Sequence, residues 1–394
     1  MAVAQTIIYI LLASLAAAAA ASGSNNSILG CYESIISFGD SYSDPGNLLE
    51  LKLLEQNELA ESGYPPYGRN FFHRPTGRYC DGRLIVDFFA ESLGLPLVQA
   101  YFDGADAERN GRSFDKGVNF AVAGATVLDG SFFEKRGITD LTTLVSLEAQ
   151  MVLLKRVLAT IPDSRKFLQR SLIVLGMIGA NDYNYPLMRG KAGPRTIQSY
   201  GPTVVASMGS TIEELIKLGA ETILVPGNTP IGCNPNYLTQ FKNISTQKDY
   251  DFATGCLNWL NKLAIYHNEL LQKELIRLQK LHPHVHIIYV DFYNAILRFY
   301  LSPLQFGFTG DSLRACCGAG GPYNYVDSQR CGHPGTTCCD DPSLFISWDG
   351  LHLTEEAYRI IAQDLLQGRY TNPPFKDICR PITKSSPAAQ IYKY

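Results

Sequence analysis

The chain has 394 residues, 46% of them apolar and 18% charged, which is the composition of a globular protein. Its 34 Lys and Arg residues against 37 Asp and Glu leave a formal net charge of -3, and no long run of basic residues occurs. These values argue against a nucleic-acid partner and against binding to a strongly anionic membrane surface.

The N-terminus has the pattern of a secretory signal. Residues 7–21 are apolar, residues 22–27 are polar, and Ala19-Ala20-Ala21 fits the small-x-small pattern of a cleavage site. No Lys or Arg precedes the apolar run, so a membrane anchor is the alternative, although the run is short for a span. We predict a signal peptide over residues 1–21, a single domain over residues 22–394, and no integral membrane segment after signal removal. The mature protein is then extracellular or in another secretory compartment such as the vacuole.

Cysteines and glycosylation sequons agree with secretion. The count of ten cysteines is even, and sequons begin at Asn25 and Asn243. No C-x-x-C occurs, so disulfides are favoured over a zinc site, and we expect neither a metal nor a cofactor. Cys233 and Cys256 flank the polar insert that carries Asn243, and we hypothesise that they pair.

Short β-prone runs alternate with amphipathic stretches along the chain. Strands are predicted over residues 34–38, 117–121, 172–177, 222–226 and 286–291. Helices are predicted over residues 84–93, 146–158, 197–218, 257–278 and 354–366. This alternation predicts an α/β fold with a mostly parallel sheet covered on both faces. Ligands of such sheets bind outside the carboxyl ends of the strands, so chemically active residues should follow strands.

A serine follows the first predicted strand in the segment Gly39-Asp40-Ser41. A serine at a strand end, beside glycine and a turn-forming Asp, can present its hydroxyl at the ligand crevice. The alternative is a strand-to-helix turn in which Ser41 is a helix N-cap.

The segment Asp349-Gly350-Leu351-His352 precedes the last predicted helix and is the only D-x-x-H in the chain. A serine hydroxyl is a weak nucleophile until a base takes its proton, and an imidazole oriented by a carboxylate suits that task near neutral pH. The alternative is a histidine that packs near a helix start.

Two further residues follow predicted strands and could stabilise a developing oxyanion. Gly124 offers a backbone N–H and Asn181 a side-chain amide, and one such donor contributes about 10²–10³ in rate. Each is also an ordinary turn residue, and neither identifies a site alone.

Together these segments resemble the GDSL, or SGNH, hydrolases, and specifically the plant GDSL esterase/lipases. The resemblance covers nearly the whole mature chain and rests on four motifs in the family's order, with supporting segments at 75–78, 81–83, 117–121, 316–318 and 348–354. It implies a three-layer α/β/α sandwich, flavodoxin-like, with a five-stranded parallel sheet. It also implies Ser41 as nucleophile, Asp349 and His352 as the rest of the triad, and an oxyanion hole of the Ser41 N–H, Gly124 and Asn181.

Two features depart from the family pattern. Tyr42 stands where the naming motif has Leu, and a literal Gly310-Asp311-Ser312-Leu313 occurs late in the chain. Ser312 follows no convincing strand and lacks the Asp-x-Gly-Asn that trails Ser41, so we interpret this second match as a coincidence.

The motifs predict a serine esterase that acts on a small-molecule ester. An acyltransferase with the same triad and an alcohol acceptor is the first alternative, and a catalytically silent binding protein is the second. The branch with Cys31 before the first motif resembles plant acetylesterases, which implies short acyl groups such as acetyl. No G-x-S-x-G occurs, which argues against the common α/β-hydrolase arrangement. His282, His284 and His286 alternate and could bind a metal, but a surface segment between helix and strand is favoured.

Overall fold

The computed structural model describes residues 29–103 and 113–379. The predicted signal peptide at residues 1–21 and the sequon at Asn25 lie outside the described residues. The helices and strands are, in chain order, β1 (Ser34–Ser37), α1 (Asn47–Gln56), α2 (Ile85–Leu93), β2 (Gly117–Asn119), α3 (Gly130–Glu134), α4 (Leu147–Thr160), α5 (Ser164–Gln169), β3 (Ser171–Val174), α6 (Asn181–Met188), α7 (Pro194–Gln198), α8 (Gly201–Leu218), β4 (Thr222–Pro226), α9 (Pro235–Phe241), α10 (Asn258–Leu281), β5 (His286–Val290), α11 (Phe292–Leu301), β6 (Cys317–Gly318), β7 (Thr337–Cys338), α12 (Glu355–Leu366), β8 (Thr371–Asn372) and α13 (Phe375–Ile378).

The main sheet has the order β2-β1-β3-β4-β5-β8. Its first five strands are parallel, and the two-residue β8 pairs antiparallel with β5 at the edge. The predicted five-stranded parallel sheet is therefore confirmed, with one short strand added. The strand order reverses between β1 and β3, which is the position where doubly wound sheets bind their ligands.

The strands alternate their apolar side chains between two buried clusters. Strands β1, β3, β4 and β5 each place one residue in the cluster with α4, α8 and α10 and a neighbouring residue in the cluster with α2, α11 and α12. The first set comprises Ile36, Ile173, Ile223 and Ile287, and the second comprises Ile35, Leu172, Leu224 and Ile288. Because both faces are covered, the central residues of the strands are apolar on both sides of the sheet, as in most parallel strands.

The long helix predicted over residues 197–218 is interrupted. The structure has α7 and α8 there, separated at Ser199 and Tyr200, with Pro202 in the first turn of α8. Proline lacks an N–H and its ring clashes with the carbonyl four residues earlier, so a continuous helix cannot form through this point. The prediction of one helix was wrong here because it followed apolar spacing alone.

Helix α12 begins as its sequence predicts. The Thr354 hydroxyl accepts a hydrogen bond from the Ala357 N–H, and Glu355 and Glu356 occupy the first turn, where acids stabilise the helix dipole. This start fixes the chain direction immediately after His352. Among the described residues, no helix combines the length and apolar character that crossing a bilayer requires.

Four disulfides cross-link the structure, and two thiols stay unpaired. Cys233 is bonded to Cys256, and the exposed Asn243 lies in the loop that this bond closes. The remaining bonds are Cys31–Cys379, Cys316–Cys339 and Cys317–Cys331, while Cys80 and Cys338 are free. The last two of these bonds lie within the Gly- and Cys-rich segment 302–345, hereafter the late loop.

Candidate active site

The loop after β1 is held in a shape that only glycine permits. Gly39 has φ +134, and a Cβ there would stand 3.0 Å from the Met177 carbonyl oxygen. The Gly39 N–H donates to Oε1 of Gln150, and Nε2 of Gln150 donates back to the Gly39 carbonyl, both over 2.9 Å. The backbone just before Ser41 is therefore held in one conformation, and Ser41 lines the cleft.

A buried carboxylate stabilises the turn that follows the serine. Asp44 accepts backbone N–H bonds from Gly46, Asn47 and Leu48 within its own turn. It also accepts the Ala123 N–H across the loop after β2, at 2.8 Å. Helix α1 begins at Asn47 with Gly46 as its N-cap, so Ser41 is not a helix cap.

Ser41, His352 and Asp349 form a continuous hydrogen-bonded chain, although 308 residues separate Ser41 from Asp349 in sequence. The Ser41 Oγ lies 2.7 Å from Nε2 of His352, and Nδ1 of His352 lies 2.7 Å from Oδ2 of Asp349. All three side chains are buried. The helix start is capped by Thr354, so His352 has no capping role. This arrangement can deprotonate the serine hydroxyl and orient the imidazole that does so.

Asp349 is stabilised as an anion although it is buried. Burial alone would raise its pKa, but the charge and hydrogen bond of His352 and the backbone N–H groups of His352 and Leu351 outweigh that cost. The pKa of Asp349 therefore lies below its usual value, and the carboxylate is charged near neutral pH.

Tyr42 connects the serine loop to the histidine loop. Its hydroxyl donates to the Leu351 carbonyl at 2.9 Å, and its ring centroid is 5.6 Å from that of His352. The Leu of the family motif could not make this hydrogen bond, so the departure at Tyr42 adds a contact between the two loops.

Gly124 and Asn181 line the same cleft as Ser41. Gly124 has φ +84, and a Cβ would stand 2.6 Å from Cβ of Thr142, so no larger residue fits. The Tyr185 hydroxyl donates to the Gly124 carbonyl at 2.8 Å, which helps to hold this residue in the cleft wall.

The Asn181 amide is oriented by its neighbours. Its Nδ2 donates to the Ala125 carbonyl at 3.0 Å and to Oδ2 of Asp40 at 3.3 Å. The Asn184 amide donates to Oδ1 of Asn181, and the Tyr237 hydroxyl in turn donates to Asn184. The bond from the Asn181 amide to Asp40 is the longer and therefore the weaker of its two donor bonds.

Asp40 and Asp182 are buried acids beside the site. Burial raises the pKa of each to about 7. Asp182 accepts the N–H groups of Val127 and Leu128, which holds the loop after Gly124 against the start of α6. The hydrogen bonds of both acids are with backbone N–H and side-chain amide groups, so their part is to support the turns around the site.

A cleft of about 360 Å³ opens over the serine. Its wall is rich in polar side chains that no motif had singled out, including Lys52, Glu61, Tyr67, Tyr79, Asp140, Arg189, Tyr325 and Arg330. Arg189 pairs with Asp140 at 2.7 Å, and Arg330 pairs with Asp327 at 2.6 Å. These residues are scattered over loops far apart in sequence, so no local pattern predicts that they meet.

The other candidate residues do not join this site. Ser312 lies in a half-buried turn of the late loop and makes no hydrogen bond to an imidazole within residues 29–103 and 113–379. His282 and His284 lie between α10 and β5, and His286 is the first residue of β5. In the described part of the chain, the one group with metal-ligand spacing is Cys316, Cys338 and Cys339, and two of these are joined in a disulfide.

Comparison with known proteins gives a consistent result. The model of the GDSL-like lipase/acylhydrolase family matches residues 35–365. Two Arabidopsis thaliana proteins described as GDSL esterase/lipases are 50% identical to the chain, one over 352 residues (88% of this chain and 87% of the relative) and one over 353 residues (89% and 88%). A third is 49% identical over 362 residues, covering 90% of this chain and 88% of the relative. The chain therefore belongs to the GDSL-like lipase/acylhydrolase family, a family of carboxylic ester hydrolases.

Proposed function

We propose that this chain is a serine esterase in which Ser41 is the nucleophile, His352 the general base and Asp349 the residue that orients it. The observation that carries the proposal is the pair of 2.7 Å contacts that join the serine hydroxyl, the imidazole and the carboxylate. These are the lengths expected for a base within reach of the proton it abstracts.

The reaction proceeds by two acyl transfers. Ser41 Oγ attacks the ester carbonyl carbon while Nε2 of His352 takes its proton, and His352 then gives that proton to the leaving alcohol. Water, deprotonated by the same nitrogen, next attacks the acyl-serine and releases the acid. Asp349 keeps the Nδ1 proton directed towards itself and stabilises the imidazolium formed in each step.

The oxyanion of each tetrahedral intermediate is assigned to three donors, the backbone N–H groups of Ser41 and Gly124 and the side-chain amide of Asn181. The 3.3 Å bond from Asn181 to Asp40 is long, so an oxyanion can replace Asp40 as acceptor at small cost. The bond to Ala125 and the contact from Asn184 stay in place and keep the amide oriented.

The cleft favours short acyl groups on a polar alcohol. The aliphatic side chains among its described lining residues are those of Ala123, Leu141, Met188 and Leu351, and the others are aromatic, polar or charged. A long acyl chain needs a continuous apolar surface, which this set does not supply. We infer an acetyl or similarly short ester as the substrate, with water as the acceptor.

The four disulfides and the exposed sequon at Asn243 support passage through the secretory pathway. Expression in eukaryotic cells, followed by enzymatic removal of N-glycans, should lower the apparent mass of the secreted protein. An Asn243→Gln variant should lose part of that change.

The proposal is tested with p-nitrophenyl esters of acetic, butyric, octanoic and palmitic acid. We expect kcat/KM to fall steeply with acyl length, and to fall in acid as His352 gains a proton. A rate that is flat from about pH 4 to 8 would contradict the role of His352. Adding small alcohols separates hydrolysis from acyl transfer, because a transferase would form new esters instead of free acid.

A further inference from the structure

A tyrosine outside the recognised motifs contacts the triad carboxylate. The Tyr67 hydroxyl lies 2.9 Å from Oδ2 of Asp349, the same oxygen that faces Nδ1 of His352. Tyr67 is 2% exposed, and no motif or spacing in the sequence pointed to it.

Asp349 has a complete set of hydrogen-bond donors. Its Oδ1 accepts the N–H groups of Leu351 and His352, and its Oδ2 accepts from the imidazole and from Tyr67. Four donors saturate the two oxygens of a carboxylate. The phenol is the one donor in this set that a side-chain substitution can remove without touching the triad itself.

The phenol is a donor throughout the working range. Burial raises the pKa of Tyr67 well above its usual value, and the nearby negative charge of Asp349 raises it further. Its ring is fixed edge-on against Tyr79 at 5.7 Å and Trp348 at 5.9 Å between centroids. The hydroxyl is therefore held on Asp349 rather than directed at a substrate.

We propose that Tyr67 is a positioning residue of the triad, which anchors Asp349 and limits the negative charge that the carboxylate presents to His352. The inference rests on the proposed function, because it acts through the imidazole as base. Its consequence is that Tyr67 helps to set the pH above which His352 can accept the Ser41 proton. Removing the phenol would leave more negative charge on Oδ2, stabilise the imidazolium and make the base lose its proton at higher pH.

Other charged and titratable groups surround Asp349 and His352 and also affect the charge of these two residues. Asp40 interacts with the charge of His352, and Glu61 and Arg330 lie in the wall next to the tyrosines. The rings of Tyr42 and Tyr79 pack on the imidazole, and Tyr325 and Tyr358 lie near Asp349. A Tyr67→Phe change leaves all of these in place.

The test is the pH profile of kcat/KM for a short p-nitrophenyl ester in the wild type and in Tyr67→Phe. We expect the midpoint of the acid limb to rise by about 0.5 pH unit, since part of one charge-assisted hydrogen bond is lost. We also expect kcat to fall about 10-fold, with KM changed by less than about 2-fold, because the ring that faces the cleft is kept. The NMR signal of the Nδ1 proton of His352 should move as well.

Tyr325→Phe is the matched control. It also removes a tyrosine hydroxyl from the cleft wall, but one that bonds Asp327 at 3.1 Å and not Asp349. Because Tyr325→Phe removes no hydrogen bond from Asp349, the midpoint of its acid limb should move much less than that of Tyr67→Phe. If Tyr67→Phe lowers kcat with the midpoint and the Nδ1 signal unmoved, Tyr67 only packs against its neighbours and the inference is wrong.

A second substitution guards against a misfolded variant. Placing 3-fluorotyrosine at position 67 keeps the hydroxyl and makes it a stronger donor, so the midpoint should move down instead of up, and an unmoved midpoint would contradict the inference. Loss of activity in Ser41→Ala with an unchanged Tyr67→Phe profile would leave the esterase proposal standing and reject this one alone. Full activity in Ser41→Ala would reject the esterase proposal first.

Discussion

The chain contains the tripeptide Gly-Asp-Ser twice, and the two copies have different surroundings. Around Ser41, a strand end, a buried glycine with φ +134 and an imidazole at 2.7 Å converge on one hydroxyl. Around Ser312, Asp311 is exposed and only closes a local turn through the Leu313 N–H. The second copy matches the four letters of the family name, and the first does not.

The difference shows that position in the fold decides the chemistry. The loop after β1 lies where the strand order reverses, so groups from the ends of β2 and β3 and from the loop before α12 can reach it. The late loop follows α11, and its backbone pairs with its own short strands and with residues 347 and 348, while its side chains Tyr325 and Arg330 reach the cleft wall. Ser312 makes no hydrogen bond to an imidazole among the described residues.

The largest expected effect separates the two serines. Ser41→Ala should lower kcat for ester hydrolysis by at least about 10³-fold, because the nucleophile is removed, while Ser312→Ala should keep most of the activity. Initial rates on p-nitrophenyl acetate, with circular dichroism to verify folding, measure both. If Ser312→Ala abolished the activity and Ser41→Ala kept it, the nucleophile would be Ser312 in the late loop.

A smaller loss is expected when an oxyanion donor is removed beside the first serine. Asn181→Ala should lower kcat by about 10²–10³-fold with little change in KM, because the amide binds charge that develops only in the transition state. Steady-state kinetics measure the two parameters separately. A loss below about 3-fold would mean that the amide stays on Asp40 and Ala125 during turnover.

The buried acids around Ser41 should make the stability of the fold depend on pH, whereas Asp311 beside the second serine is exposed. Burial raises the pKa of Asp40 and Asp182 to about 7 and that of Asp44 to about 6. The folded state keeps protons on these groups that the unfolded chain releases near pH 4. Their contribution to stability is therefore fully present below that pH and is lost as the pH rises to about 7. We expect these three groups to lower the free energy of unfolding by on the order of several kcal/mol between pH 4.5 and 7.5.

Urea titrations at several pH values measure this slope. Asp182→Asn should flatten it, and Asp311→Asn should leave it unchanged. Stability that rises from pH 4.5 to 7.5 would show that the three carboxyl groups are ionised in the folded protein without penalty.

The smallest effect on catalysis is expected from the late loop itself. The double variant Cys317→Ser with Cys331→Ser opens a disulfide that spans 14 residues, which should cost about 2–3 kcal/mol of stability. Because the Cys317 N–H still donates to the Trp348 carbonyl, kcat at 25 °C should stay within about 3-fold of the wild type. A loss of activity as large as that of Asn181→Ala would give the loop a direct part in the chemistry.

Much of the fold could be predicted because its signals are local. The five parallel strands follow from apolar runs, and the start of α12 follows from one capping threonine. The break before α8 does not follow from the spacing of apolar residues, because it depends on Pro202. For the site, motifs picked out Ser41, Asp349 and His352, which lie together in the structure. Tyr67 could not be found this way, since its contact with Asp349 joins segments 282 residues apart and no pattern marks Tyr67.

The most direct test of the account is to treat the folded protein with a fluorophosphonate and locate the adduct by peptide mass spectrometry. We predict a single adduct on Ser41 that forms rapidly in the wild type and slowly or not at all in His352→Ala. An adduct on Ser312, or labelling of Ser41 at the same rate without the imidazole, would contradict the claim that residues 41, 352 and 349 act as one catalytic unit.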